Sequence, residues 1–157
     1  MGVTTMCEVA HTSVEFSASP GAEPAPGGEP RGGYRVGRRY SFDAAHRLSG
    51  LPVGHKCARA HGHTYTVEVV VAADELSGPG FVTDFGDLSP LGDYINEQLD
   101  HRDLGEVLAV EPTSERIARH LAEWFAAHVE PGIPGRLEAV RVSETPSTWA
   151  EYTVTAR

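Results

Sequence analysis

The residues best equipped for chemistry are His46 and the run Cys57-Ala58-Arg59-Ala60-His61-Gly62-His63. Residues two apart in a strand point to one side, so the imidazoles of His61 and His63 face one volume, and Gly62 leaves the opposite face uncrowded. If the preceding segment pairs antiparallel across the intervening loop, His46 near its end supplies a third imidazole. Three neutral histidines with one coordination position open make a catalytic rather than a structural zinc site. The competing reading is a set of surface or internally satisfied histidines. Cys57 lies four residues before His61 in a glycine-flanked loop, where a nearby metal and imidazoles favour its thiolate for proton abstraction or attack on carbon. Alternatively it is a fourth ligand that closes the site and makes it inert, and spacing by itself does not separate the two.

Two further groups carry chemical potential. In Leu99-Asp100-His101, an aspartate beside a histidine can hold the ring in one tautomer and stabilise the imidazolium formed when it takes a proton. The alternative is a helix terminus where a charged histidine meets the negative end of the dipole. In Glu144-Thr145-Pro146, the carboxylate shares the parity of Val140 and Val142, so it points where apolar side chains point and requires partners. A heterocycle edge with two N–H donors would satisfy it bidentately; a glutamate turned into solvent by Pro146 is the other possibility. His11, His55, His120 and His128 are read as non-ligands.

Positioning these groups requires a particular set of elements. Tyr40, Phe42, Ala44 and His46 share one parity, as in a strand with one packed face. His63 to Asp74 places Tyr65, Val67, Val69 and Val71 on one face and Thr64, Thr66 and Glu68 on the other. Gly78, Pro79 and Gly80 mark a turn. Ser89-Pro90 reads as a helix start with Ser89 as the cap, followed by Leu91, Ile95 and Leu99. A second helix follows Pro112 and Thr113, with Ile117, Leu121, Trp124, Phe125 and His128 as its core stripe. Leu137 to Glu144 and Trp149 to Thr155 read as two closing strands. The predicted order is strand, strand, helix, helix, strand, strand, an α+β domain.

Composition narrows the function. With 157 residues and 40% hydrophobic content, one domain with one core is expected. Residues 1–33, with Pro20 to Gly33 nearly all breakers and polar side chains, read as a disordered leader before a domain spanning 34–157. The net charge of −9, without basic blocks, argues against nucleic acid or a membrane surface as partner. No apolar run approaches the roughly 20 residues of a bilayer span. The two cysteines, Cys7 and Cys57, form no disulfide framework, and a cytoplasmic protein is expected.

The motifs FDAAHRL (42–48), GHKCARAHGHTY (54–65), DFGDL (84–88), LDHRDL (99–104), PTSERIA (112–118) and ETPSTWAEY (144–152) together resemble the 6-pyruvoyltetrahydropterin synthase superfamily from about Tyr34 onward. The three residues between Cys57 and His61, and the GHKC lead-in, resemble the bacterial 6-carboxytetrahydropterin synthases of the 7-deazaguanine pathway; the pyruvoyl-forming enzymes carry a longer insert. The resemblance implies that His46, His61 and His63 bind Zn2+, that Cys57, Asp100 and His101 handle protons, and that Glu144 anchors a pterin, with Thr113 and Ser114 beside it. It implies a T-fold whose strands close into a β-barrel between copies of the chain, a homo-oligomer with a hexamer favoured and with active sites between subunits. The implied substrate is a pterin triphosphate, and the implied reaction is a lyase reaction.

Overall fold

In this computed structural model, residues 33–155 are described. The expected leader, with Cys7 and His11, lies outside the described residues except for Gly33.

Two long strands dominate the sheet. β1 (Tyr34–His46) and β2 (His61–Ala73) pair antiparallel without interruption, from Tyr34 opposite Ala73 to His46 opposite His61. β3 (Arg136–Thr145) pairs with β2, with a register shift between Val70 and Val71, and β4 (Thr148–Thr153) pairs with β3. The strand order is β1-β2-β3-β4, so β1 and β4 are the edges.

Alternation along the strands gives the sheet one apolar face. Phe42, Ala44, Tyr65, Val67, Val69, Val71, Val140 and Val142 are buried there. The reverse face carries Arg39, Thr64, Thr66, Glu68 and Arg141, exposed or half-buried. The apolar face is covered by α1 (Ser89–Gln98), the single turn α2 (Leu104–Val107) and α3 (Ser114–His128), whose Leu91, Ile95, Leu104, Ile117, Leu121 and Phe125 join the same core. No helix among the described residues is long and apolar enough to cross a membrane.

Local differences from expectation have physical reasons. Ser89 is the first helical residue of α1, not its cap. The chain is already turning from Phe85 to Leu88, where the Asp84 side chain accepts from Gly86 N at 2.7 Å, and the Ser89 hydroxyl accepts from Arg38 at 2.8 Å. α2 was not expected because four residues are too few to show a period; Asp103 caps it by accepting from Gly105 N at 2.9 Å. Thr113 caps α3, accepting from Arg116 N, so the helix starts directly after Pro112 and Thr113 as expected. His128 does not belong to the core stripe: it is exposed, its Nδ1 donates to the Trp124 carbonyl at 2.8 Å, and its ring stacks on Trp124.

Candidate metal centre and active site

The end of the β1–β2 ladder gathers three imidazoles. His46 closes β1 and is 1% exposed; His61 opens β2 directly opposite, and His63 follows on the same side. One ring nitrogen from each lies within 4.8 Å of the others. His46 Nδ1 faces the Pro112 carbonyl at 2.8 Å, and His61 Nδ1 faces the Arg59 carbonyl at 2.8 Å. A carbonyl only accepts, so each Nδ1 carries the proton and each Nε2 carries a lone pair. Those two Nε2 atoms stand 3.1 Å apart. Among the described residues His63 Nε2 is buried without a partner. Burial holds the His63 pKa below its ordinary value and so favours the neutral ring, against the opposing pull of Glu144. Lone pairs converging on a protein-lined volume, with outward nitrogens tied to backbone carbonyls, fit a bound divalent cation.

Cys57 sits in a short turn, Lys56–Ala58, beside this cluster. His55 Nδ1 accepts from Cys57 N at 3.1 Å, and the Cys57 carbonyl accepts from Leu48 N at 2.8 Å. The thiol is free and half-buried. It lines a cavity of about 630 Å³ together with Lys56, Arg59, His61, His63, Glu144 and Thr148. Among the described residues the group close enough to hold a metal ion comprises the three histidines without Cys57.

Glu144 closes the other side of that cavity. Its Oε1 accepts from the Ser114 hydroxyl at 2.8 Å, and its Oε2 lies 4.0 Å from His63 Nε2. The carboxylate therefore turns inward beside the histidines, as the parity of Val140 and Val142 indicates. Ser114 reaches it because Thr113 caps α3 and starts the helix at that point.

Asp100 and His101 approach from elsewhere. Asp100 Oδ1 accepts from His101 Nδ1 at 3.0 Å and from Asp43 N at 2.9 Å, while the Asp43 carbonyl accepts from His101 N at 2.6 Å. His101 lies beyond the helix end with φ of 58°, a left-handed conformation uncommon outside glycine, and its ring engages Asp100 rather than the last carbonyls of α1. His101 lines a second cavity, of about 670 Å³, with Asp43, Thr64 and His63. Within one chain, Cys57 and His101 thus flank His63 from two different cavities.

Sequence reasoning missed two neighbours. Tyr65 continues the His61–His63 parity; its ring stacks on Phe42 and stands steeply tilted against the rings of His46 and His63, and its buried hydroxyl has no partner among the described residues. Burial, and secondarily Glu144, push its pKa up, so it stays a neutral donor. Asp43 accepts from the cross-strand Thr64 hydroxyl at 2.6 Å besides holding Asp100 through its backbone. Its only sequence signal was a carboxylate amid strand residues on the solvent parity.

The family model for 6-pyruvoyl tetrahydropterin synthase matches residues 35–155, which contain nearly all of the sheet and every helix. The chain belongs to the 6-pyruvoyl tetrahydropterin synthase family. It is an enzyme of that family and resembles members named for carboxylated products: it is 40% identical over 121 residues to the 6-carboxy-5,6,7,8-tetrahydropterin synthase of Synechocystis, covering 73% of this chain and 89% of that one. It is 34% identical over 109 residues to the dihydroneopterin monophosphate aldolase of Pyrococcus furiosus, covering 69% and 86%. The solved structure of the Caenorhabditis elegans 6-pyruvoyl tetrahydropterin synthase superposes with a TM-score of 0.69 at 26% identity, covering 79% of this chain and 97% of that one.

Proposed function

We propose that this family member is a zinc-dependent lyase that converts 7,8-dihydroneopterin triphosphate and water to 6-carboxy-5,6,7,8-tetrahydropterin, acetaldehyde and triphosphate. The observation that carries the reading is the three-histidine cluster, with the Nε2 lone pairs of His46 and His61 turned inward, beside a free thiol and an inward carboxylate in one cavity. The relatives named as 6-carboxytetrahydropterin synthases support the carboxy-forming branch.

His46, His61 and His63 would hold zinc, which when bound would supply Lewis acidity toward the substrate's side-chain hydroxyls. Glu144 takes the amino and ring N–H donors of the pterin, a bidentate pairing that aligns the side chain over the histidines. Cys57, as thiolate, removes a proton from the side chain. His101, oriented by Asp100, returns or removes a second one. Tyr65 keeps the floor of the site dry and rigid beneath His46 and His63.

Cys57 and His101 of one chain serve different cavities, which supports a site completed between copies. Strands β1 and β4 both leave backbone groups unpaired at the sheet edges, a hazard that closure into a barrel removes. A homo-oligomer, with a hexamer favoured, follows from that reading. So does a cytoplasmic location, where Cys57 stays reduced.

Incubating the zinc-loaded protein with dihydroneopterin triphosphate and identifying the products by mass decides the matter. Acetaldehyde with triphosphate supports the carboxy-forming reaction. Triphosphate alone, with a pyruvoyl product, supports the elimination-only alternative. A parallel incubation with dihydroneopterin monophosphate tests the activity for which the Pyrococcus relative is named. No turnover of either compound by zinc-loaded protein leaves a non-catalytic, zinc-stabilised pterin-binding module.

A further inference from the structure

Three segments that serve the site meet at one short stretch of chain after β1. His46 ends the strand, and its Nδ1 donates to the Pro112 carbonyl at 2.8 Å. Leu48 N donates to the Cys57 carbonyl at 2.8 Å and so holds the thiol turn. Ser49 donates twice to Glu111: its hydroxyl to Oε2 at 2.9 Å, and its backbone N–H to Oε1. Glu111 immediately precedes Pro112, and the chain then runs through the Thr113 cap to Ser114, whose hydroxyl reaches Glu144.

Packing holds Pro112 itself, which is buried, but does little for the segments that flank it. Every residue from Arg47 to Ala60 is exposed or half-buried, and so are Ala109, Val110 and Glu111. Gly50 and Gly54 adopt positive φ in a loop whose Cβ positions would meet nothing. A carboxylate accepting two hydrogen bonds from one residue is a rigid, charge-assisted connection between two such segments.

Resting on the zinc-site reading above, we propose that Glu111 is a positioning residue of the metal centre. Its two-point clamp on Ser49 fixes the separation between the His46 imidazole and the Pro112 carbonyl that orients it, and it carries the Cys57 turn in the same register. The chain of action runs through two bonds: Glu111 to Ser49, three residues from His46, and Pro112 to His46 itself. Outer partners of a metal-bound histidine set the tautomer and direction of its ligand nitrogen, so a loosened carbonyl lets the ring rotate and weakens the metal.

The test uses the full chain. Zinc affinity is measured by competition with a chromophoric chelator, and the Nδ1–H resonance of His46 is followed by NMR in metal-free protein. Glu111→Ala is expected to weaken zinc about tenfold, the lower end of the range for lost outer partners, and to speed exchange of the His46 Nδ1–H with water. Glu111→Gln keeps both contacts, its amide oxygen accepting from the Ser49 N–H and its amide nitrogen donating to the Ser49 hydroxyl oxygen, and is expected to recover most of both readouts; Glu75→Ala, an exposed control, is expected to change neither. Unchanged affinity and exchange in Glu111→Ala overturn the proposal, as does a Glu111→Gln that is no better than Glu111→Ala. Should Glu111→Ala not fold, Ser49→Ala decides in its place: weaker zinc binding supports the clamp and unchanged binding overturns it. An unaltered chain that takes up no zinc removes the metal reading, and the His46 resonance of the metal-free variants then still decides whether the clamp orients the ring.

Discussion

The Nε2 atoms of His46 and His61 stand 3.1 Å apart across the last cross-strand pair of β1 and β2, and neither has a proton to offer the other, because each ring spends its N–H on a backbone carbonyl. Two facing lone pairs at that distance repel unless a cation lies between them and His63. The pair thus stores a small unfavourable term that a metal relieves.

Removing metal is therefore expected to cost stability. With free zinc at a hundredfold over its dissociation constant, binding contributes about 2.7 kcal/mol to the folded state. Thermal unfolding with and without chelator measures this, and His61→Ala is expected to unfold at the same temperature in both. A chelator-insensitive midpoint in the unaltered chain counts against the site.

Cys57 separates the catalytic from the closed-site reading. Because its sulfur is outside the three-histidine group, Cys57→Ala is expected to keep a full complement of zinc while turnover falls about 10²- to 10⁴-fold, the usual worth of a positioned proton-transfer group. Metal analysis of the purified variant beside its rate is the measurement. Loss of zinc in proportion to loss of rate would identify Cys57 as a ligand instead.

Glu144 and Ser114 test the substrate anchor. Glu144→Gln keeps the shape but replaces one acceptor oxygen by a donor, so KM for the pterin is expected to rise with zinc content unchanged. Ser114→Ala removes only the hydroxyl that holds the carboxylate and is expected to have the smaller effect. Steady-state kinetics with both variants decides; an unchanged KM in Glu144→Gln removes the anchor role.

The Asp100 carboxyl carries a pH signature. The Asp43 backbone N–H, and next the His101 side chain, hold its pKa below the ordinary 3.8. A group with a depressed folded pKa contributes stability above its unfolded value and loses it as pH falls through the folded one. The gap in unfolding midpoint between the unaltered chain and Asp100→Ala is expected to be constant from neutral pH down to about 5 and to shrink below 3.8. A gap independent of pH over that range would show that the charge on Asp100 does nothing for the fold.

Gly135 tests the packing of the turn between α3 and β3. A Cβ there would stand 2.5 Å from Val71 Cγ1 and 3.1 Å from Val82 Cγ1, with the Ala72 carbonyl at 3.3 Å. Gly135→Ala is expected to destabilise the chain by about 1–3 kcal/mol, the ordinary cost of overpacking. Urea unfolding gives the value; a neutral substitution would mean that the turn shifts freely.

Much of this protein was legible in its sequence because the signals are local. Alternation is a property of a single strand, so the parity of Phe42, Ala44 and His46, of His61, His63 and Tyr65, and of Val140, Val142 and Glu144 assigned each side chain to a face before any partner was known. The start of α3 after Pro112 and Thr113 depended only on its own helix. Ser89 failed as a cap because the preceding turn had already set the backbone helical, and α2 escaped because one helical turn has no period to read.

Tertiary structure decided what depends on meeting across the chain. The register of β1 against β2 brought His46 opposite His61, the bond from His46 to Pro112 fixed which nitrogen faces inward, and Ser114 found Glu144 thirty residues away. Sequence can state that an imidazole lies on a given face, because φ and ψ repeat along a strand. It cannot state which carbonyl that imidazole will meet, because that follows from how helices and loops of different lengths pack onto the sheet.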